Sequence, residues 1–193
     1  MENELKENAI SRRKFLKRSG GLTFLVAGVG IPAFVWKEEK ANTNNGQVSA
    51  WVHISIDGTV TIYNPAAEMG QGTMTALPAI IAEEMDADWS KVKIEHSPVE
   101  PEIYGIPWGG GGRGGSMLTV GSRSVSGHFD NLRQSGAQVR FVLMSNAAEK
   151  WGVNIDELET QPGLVFHPKT GKKISYGEIA SFAKFPEEIP DIP

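Results

Sequence analysis

The sequence predicts an α+β domain, built from a mixed sheet with hairpins and two main helices. Three observations predict this class. Residues 51–64 alternate apolar and polar side chains around a turn, which is the pattern of a hairpin, and residues 163–176 predict a further hairpin. Residues 75–85 and 124–151 carry apolar side chains at helical spacing. The 193 residues suffice for one domain with a buried core, and no internal repeat divides them.

Residues 1–36 have the pattern of a twin-arginine export signal. Arg12 and Arg13 precede Phe-Leu-Lys, and a soft, glycine-rich apolar run follows. Val48-Ser49-Ala50 is one candidate cleavage site, although no small-x-small site follows the apolar run closely. An amphipathic arm and a membrane anchor through residues 18–36 stay open as alternatives. The signal predicts a periplasmic protein, and because this route exports folded proteins it favours a cofactor-containing redox enzyme.

A linker and a strand–helix–strand unit follow the predicted signal. Residues 37–50 are polar and asparagine-rich, as in a linker. Asp57-Gly58 lies between two alternating runs and predicts the turn of the first hairpin. The helix over residues 75–85 has Thr75 as its expected cap and Pro78 in its first turn. Residues 91–97 predict the next strand. The helix is placed by the apolar residues Leu77, Ile80, Ile81 and Met85.

The second half of the chain begins with a glycine-rich region. Six glycines between residues 109 and 115 predict a loop that is either disordered or allows a close backbone approach. A long helix is expected from Ser124 to Trp151, with Gly152 at its C-terminal end. Its predicted apolar face comprises Phe129, Leu132, Val139, Leu143, Ala147 and Trp151.

The predicted domain covers residues 51–184 and ends with a short helix. Ser175 and Glu178 have capping-box spacing after the second hairpin, which predicts a helix reaching about Lys184. Residues 185–193 form a proline-rich tail.

Composition and motif patterns exclude several classes of function. Residues 41–193 carry 11 Lys and Arg against 18 Asp and Glu, so nucleic acid is not the expected partner. The absence of cysteine excludes Fe–S clusters, thiolate zinc sites and thiol nucleophiles on this chain. The chain has no G-x-S-x-G elbow, and Glu83-Glu84 has the pattern of a solvated helix face. No metal site is expected from the four scattered histidines, His53, His96, His128 and His167.

The stretch Gly70-Gln71-Gly72 is the strongest candidate for a binding site. It does not fit the dinucleotide-binding or phosphate-loop patterns. Gly70 and Gly72 can nevertheless turn successive N–H groups towards an anion, at the positive end of the following helix. Gln71 can donate to and accept from a heterocycle. These features indicate an anionic, heterocyclic ligand, and a plain tight turn stays open as the alternative.

A second donor-rich stretch precedes the long helix. Thr119, Ser122 and Ser124 place hydroxyl groups near its start. Two helix starts, each preceded by glycines, fit one large cofactor with several polar or anionic groups.

Two segments resemble the large subunit of molybdenum hydroxylases, the xanthine dehydrogenase and aldehyde oxidase superfamily. EMGQGTMTALPAIIAEEMDADWSKV, residues 68–92, is similar to its molybdopterin-binding segment. GGSMLTVGSRSVSGHFDNLRQSGAQVRFVLMSNAAEKWGV, residues 114–153, is similar to its second cofactor segment. The likeness runs from Trp51 to Lys184 and is nearest to the exported isoquinoline 1-oxidoreductase type. It implies the N-terminal part of a molybdopterin-binding domain.

The resemblance implies specific roles. The cofactor would be molybdopterin cytosine dinucleotide, and the reaction would hydroxylate an aldehyde or N-heterocycle with oxygen from water. The loop would contact the pterin through backbone groups and the Gln71 amide, with Gly72 allowing close approach. The hydroxyl groups would hold the pterin and its phosphate side. Electrons would leave through a [2Fe–2S] small subunit, often to a cytochrome c. The residues implied are Met69, Gly70, Gln71, Gly72, Thr119, Ser122 and Ser124.

One departure from the family pattern limits this interpretation. Family members are several times longer, and their catalytic glutamate lies near the far end, so no catalytic residue is assigned here. Glu68, Glu83 and Glu84 are too close to the pterin loop or the helix face for that role. We expect the chain to be a truncated or split part of the large subunit, inactive without the remainder. The alternatives are an exported, non-catalytic interaction or assembly module of the same fold, and an unrelated exported anion-binding protein.

Overall fold

The computed structural model describes residues 21–24, for which only the backbone is considered, 51–107 and 115–184. Most of the predicted signal, the linker 37–50, the centre of the glycine-rich loop and the tail 185–193 lie outside the described residues.

A four-stranded mixed sheet forms the base of the fold. Its strands lie in the order β1 (Gly21–Phe24), β2 (Val52–Ser55), β3 (Val60–Asn64) and β4 (Val92–His96). The first three are antiparallel, whereas β4 runs parallel to β3. The predicted first hairpin is confirmed: Gly58 has a φ of +88°, and the Thr59 N–H donates to Asp57 Oδ1 at 2.8 Å.

Helix α1 (Thr73–Glu84) connects β3 to β4, which confirms the predicted strand–loop–helix–strand unit. The helix begins two residues earlier than expected, because Gly72 takes the N-cap position in the left-handed conformation. The prediction that Thr75 caps the helix is therefore wrong, and its N–H donates to Gly72 O at 3.1 Å instead. Pro78 lies in the second turn rather than the first.

Helix α2 (Pro101–Tyr104) is short, and helix α3 (Arg123–Trp151) is the long helix that the sequence predicts. Gly152 ends α3 with a φ of +66°, and the Val153 N–H donates to Ala148 O at 3.2 Å, as in a Schellman motif. Phe129 was expected on the apolar face but is 43% exposed. At this end of α3 the buried stripe runs through Ser124, His128 and Leu132, and Phe129 lies beside it.

Helix α1 packs on the four-stranded sheet, and α3 crosses α1 closely. A Cβ added at Gly136 would lie 2.6 Å from Ile81 O and 2.7 Å from Glu84 Cβ. Arg133 forms an ion pair with Glu84 at the edge of this crossing. The largest buried side chains of the two helices are Leu77, Ile81, Leu132 and Leu143.

A second, antiparallel sheet contains β5 (Glu159–Gln161), β6 (Leu164–His167) and β7 (Lys172–Ser175), which confirms the second hairpin. The predicted Ser175–Glu178 capping box starts helix α4 (Tyr176–Ala180). This helix ends before Lys184, whose N–H is instead held by Asn146 Oδ1 at 2.7 Å. Tyr176 Oη donates to Met85 O at 2.5 Å, which connects α4 to the end of α1.

Within residues 21–24, 51–107 and 115–184, no helix combines the length and the apolar character needed to cross a bilayer.

Candidate functional site

The candidate site is the loop of residues 65–72, which connects the end of β3 to α1 and is here called the glycine loop. Asn64, the last residue of β3, is buried, and its side-chain amide donates to Ala66 O at 2.6 Å. The same nitrogen lies 3.1 Å from Met74 Sδ in the first turn of α1. Asn64 therefore fixes where the glycine loop leaves the sheet and where it joins the helix.

The backbone of the glycine loop requires glycine at two positions. Gly70 and Gly72 have φ angles of +96° and +83°, a region that side-chain-bearing residues rarely adopt. An added Cβ at either glycine would meet no atom within 4 Å. Met69 lies between Glu68 and Gly70 and is 71% exposed. The outer side of the loop is therefore open, exposed backbone that a large flat group can approach.

The two glycine N–H groups of the glycine loop and donors in the first turn of α1 converge on one carboxylate, that of Glu68. Glu68 Oε1 accepts from the N–H groups of Gly70 at 2.7 Å and Gly72 at 3.0 Å. Glu68 Oε2 accepts from the Met74 N–H at 2.9 Å and from Thr73 Oγ1 at 3.2 Å. The sequence predicts donors turned towards an anion at this helix start, and the anion found there belongs to the chain itself.

The electrostatic environment of Glu68 stabilises its charged form. The Met74 N–H has the largest effect, followed by that of Gly72, and together with Gly70 and Thr73 they lower the pKa of Glu68 to about 2, against an ordinary value of 4.5. The positive end of the α1 dipole acts in the same direction. The sequence did not predict this role for Glu68, yet a carboxylate just before a helix start is a recognisable signal for the arrangement.

The side-chain amide of Gln71 also stabilises the glycine loop, through hydrogen bonds to its backbone. Its side-chain oxygen accepts from the Met69 N–H at 2.6 Å, and its side-chain nitrogen donates to Ala67 O at 2.6 Å. The amide nitrogen also lies 3.3 Å from Thr73 Oγ1. Because an amide oxygen has two lone pairs, Gln71 keeps one acceptor position for a ligand. The predicted contact of Gln71 with a heterocycle stays a prediction.

Thr119 brings the second predicted segment to the glycine loop. Its Oγ1 accepts from the Ala67 N–H at 3.0 Å, although the two residues are 52 positions apart. Ser122 is exposed, with a φ of +54° and no side-chain hydrogen bond to the start of α3. Ser124 is buried within the first turn of α3. The structure thus joins Thr119 directly to the loop and places the two serines on either side of the α3 start.

The second segment is held in place by close backbone contacts. A Cβ on Gly105 would lie 2.9 Å from the backbone of Gly115, and Ile106 and Ser116 exchange two hydrogen bonds of 3.2 Å. The His128 ring connects α3 to the end of α2, with Nδ1 2.8 Å from Ser124 O and Nε2 3.0 Å from Tyr104 O. The close approach predicted for the glycine-rich region is confirmed at Gly115.

Across the described ranges, no three His, Asp or Glu side chains come together in a way that could hold a metal ion.

Comparison with known proteins identifies the family. Residues 1–190 match the model of the molybdopterin cofactor-binding domain family, so the chain belongs to that family. It is 40% identical to the beta subunit of isoquinoline 1-oxidoreductase from Brevundimonas diminuta, over 94% of this chain and 23% of the relative. It is 34% identical to the membrane-bound aldehyde dehydrogenase (pyrroloquinoline-quinone) of Gluconacetobacter polyoxogenes, over 96% of this chain and 23% of the relative. The chain thus spans about a quarter of these relatives.

Solved structures support the fold. Quinoline 2-oxidoreductase from Pseudomonas putida 86 matches 67% of this chain and 15% of its own, with a TM-score of 0.50 and 20% identity. The Cu,Mo-CO dehydrogenase matches the same shares, with a TM-score of 0.50 and 21% identity. The predicted fold class and the family resemblance are confirmed. The alternative of an unrelated anion-binding protein is excluded by the family match.

The geometry fits a molybdopterin cofactor at one part of the site and not at another. The open backbone at Gly70 and Gly72 fits the close approach of a flat pterin. The start of α1 does not fit an anionic group of the cofactor, because the Glu68 carboxylate already accepts from its N–H groups. The residues present therefore favour contact along the outer side of the glycine loop.

Proposed function

We propose that this chain is the pterin-gripping part of a molybdenum-dependent hydroxylase or dehydrogenase. The whole enzyme would oxidise an aldehyde or an N-heterocycle with water as the oxygen source. The observation that carries the proposal is the open glycine loop of a molybdopterin-family domain, tied to its second segment by the Thr119–Ala67 hydrogen bond. The names of the relatives, an isoquinoline oxidoreductase subunit and an aldehyde dehydrogenase, support the two substrate classes.

The residues of this chain bind and orient the cofactor. Gly70 and Gly72 let the backbone approach the pterin face, since neither carries a side chain on the open side. Gln71 offers its remaining acceptor position to a pterin N–H group. Met69, which is 71% exposed, covers apolar ring surface from water. When bound, the cofactor supplies the molybdenum centre at which the substrate is oxidised.

The second segment, which contains Thr119, Ser122 and Ser124, would complete the cofactor-binding site. Thr119 keeps residues 115–120 beside the glycine loop through the Ala67 N–H. Ser122 is exposed and makes no capping hydrogen bond to α3, which supports our proposal that its hydroxyl group holds the phosphate side of the cofactor. Ser124 is buried in α3 and would act by shaping the turn before it. We propose that the cofactor is in its cytosine dinucleotide form. Mild acid hydrolysis of the purified complex would then release cytidine monophosphate from it.

We further propose that the enzyme has several subunits and is exported. Relatives named as subunits, including one of the nicotinate dehydrogenase of Pseudomonas putida, support partner chains. Because this chain has no cysteine, the [2Fe–2S] cluster that receives the electrons would belong to a small subunit, which would pass them on to a cytochrome c in some systems. The Arg12-Arg13 motif supports twin-arginine export to the periplasm, with the apolar run as a further attachment to the membrane.

The test is purification of this chain from its own host with its partners bound. The preparation is analysed for molybdenum, for the fluorescent oxidised pterin and for released nucleotide. We expect about one molybdenum per chain, together with the remainder of the cofactor-binding subunit and a [2Fe–2S] chain. A folded preparation with neither molybdenum nor pterin would refute the proposal and favour the non-catalytic assembly module. Extraction of pyrroloquinoline quinone in place of a pterin would refute it as well, a case raised by the name of one relative.

A further inference from the structure

We propose that Glu68 is a positioning residue whose carboxylate permanently occupies the anion site at the start of α1, so that the glycine loop is shaped before any cofactor arrives. The inference deepens the proposed function and rests on it. It has a definite consequence: the anionic part of the cofactor lies elsewhere, and the glycine loop contributes its outer side only.

The contacts of Glu68 fill the anion site. Three backbone N–H groups and one hydroxyl group converge on the two carboxylate oxygens at 2.7–3.2 Å. These groups are the donors that a phosphate at this helix start would need. Because a second anion would meet the negative charge of Glu68 at close range, the two cannot share the site.

The same contacts determine the shape of the loop. A single oxygen, Glu68 Oε1, accepts from both Gly70 and Gly72, so the peptide groups on either side of Gln71 are held in one relative orientation. Glycine has more backbone freedom than any other residue, and a loop with two glycines loses its conformation easily when such a contact is removed. The carboxylate therefore stabilises the two positive-φ conformations that keep the backbone open to a ligand.

A carboxylate that serves as a permanent brace must stay charged. The lowered pKa of Glu68, about 2, keeps it ionised throughout the pH range of living cells. Its side chain nevertheless lies at the exposed surface, so the alternative is a gate in which Glu68 leaves and the cofactor anion takes its place. The two roles predict effects of opposite sign when the carboxylate is removed, because a brace aids cofactor binding and a gate competes with it.

The experiment compares Glu68→Gln and Glu68→Ala with wild type and with Glu83→Gln. Glu68→Gln keeps the size of the side chain but points an amide N–H at one of the donors. Glu83 is an exposed glutamate of α1, so it controls for loss of one negative charge near the same helix. Hydrogen exchange of the amides of residues 70–74 is measured by NMR on the cofactor-free full chain. The same samples are titrated with inorganic phosphate.

If Glu68 holds the loop as a brace, hydrogen exchange of the amides of residues 70–74 should be faster by about tenfold or more in both Glu68 variants than in wild type. The exchange rates in Glu83→Gln should not change. Inorganic phosphate should shift the amides of residues 70, 72 and 74 in Glu68→Ala and leave those of wild type unmoved. In the native complex, the molybdenum content of Glu68→Ala should fall several-fold. Unchanged exchange, or phosphate binding to wild type at these amides, would overturn the inference.

The molybdenum content distinguishes a brace from a gate at Glu68. It also distinguishes failure of this inference from failure of the proposed function. Equal or higher molybdenum content in Glu68→Ala than in wild type would identify a gate and overturn the brace. Absence of molybdenum from the wild-type complex would refute the proposed function instead, while the exchange rates would still decide whether Glu68 holds the loop.

Discussion

The crossing of α1 and α3 allows a quantitative prediction from one pair of matched substitutions, Gly136→Ala and Gly127→Ala. Both glycines lie inside α3, and in both cases alanine gains about 1 kcal/mol of helix propensity. The neighbours differ. The new Cβ at position 136 would lie 2.6 Å from the backbone oxygen of Ile81, whereas at position 127 it would lie 2.6 Å from Cδ1 of Ile106.

These neighbours differ in how easily they can move. The end of the Ile106 side chain can rotate away, so the gain and the cost at position 127 roughly cancel. At position 136, α1 as a whole must move before Ile81 O reaches ordinary contact at 3.4 Å or more. Overpacking of this kind costs about 1–3 kcal/mol and sometimes more, and separating the helices also loses dispersion contacts. We expect Gly136→Ala to lower the free energy of unfolding by about 1–2 kcal/mol and Gly127→Ala to change it by less than about 1 kcal/mol.

Urea unfolding of the full chain, followed by tryptophan fluorescence and circular dichroism, measures the difference. Thermal unfolding should give a melting temperature for Gly136→Ala that is lower by about 2–8 °C, given the size of the chain. If Gly136→Ala were as stable as Gly127→Ala, the helices would have room to separate at no cost. The inference that their backbones are in direct contact would then be wrong.

Three further predictions concern the site and the export signal. Gly72→Ala and Gly152→Ala both place a side chain at positive φ in open space, so each should lose about 1 kcal/mol of stability, but only Gly72→Ala should lower the molybdenum content of the native complex. Equal molybdenum content in the two variants would show that Gly72 has no special role. Replacement of both Arg12 and Arg13 by Lys should block export, which cell fractionation measures. Unimpaired export of this double variant would contradict the twin-arginine assignment. The NMR signal of the Glu68 carboxyl carbon should titrate with a midpoint near pH 2. Because the pKa of Glu68 is lower in the folded state, its hydrogen bonds stabilise the fold above the ordinary pKa of 4.5, and this stabilisation is lost as the pH falls towards 2. A midpoint near 4.5 would contradict the hydrogen bonds between Glu68 and the loop.

Sequence patterns located the long elements well because their periodicity repeats several times. The first hairpin, α1 and α3 were predicted from alternation or helical spacing, and the Gly152 and Ser175 termini followed from local capping rules. Helix α2 was missed, since it spans only Pro101–Tyr104 and offers a single turn. Strand β1 was missed because it lies in a segment whose composition is typical of an export signal.

The turn from β3 into α1 was predicted from the sequence, but the contacts within the glycine loop were not. The glycine loop is recognisable because two glycines between a strand and a helix indicate a tight turn or a close backbone approach. Its contacts depend on φ values that only the folded loop defines, and so the role of Glu68 was not foreseen. The Thr119–Ala67 contact joins residues 52 positions apart, which no local pattern reveals. The helix start was misplaced by two residues because a left-handed glycine replaced the expected threonine cap.

The pairing of β1 with β2 has a consequence for maturation. Gly21–Phe24 lies within the predicted export signal, yet it forms the outer strand of the sheet beside Val52–Ser55. Cleavage at Val48-Ser49-Ala50 would remove that strand and leave the N–H and C=O groups along one side of β2 without their present partners. An open sheet edge readily accepts a strand from another polypeptide. Cleavage there would therefore leave β2 as an edge strand of the sheet, to which a strand of another polypeptide could add.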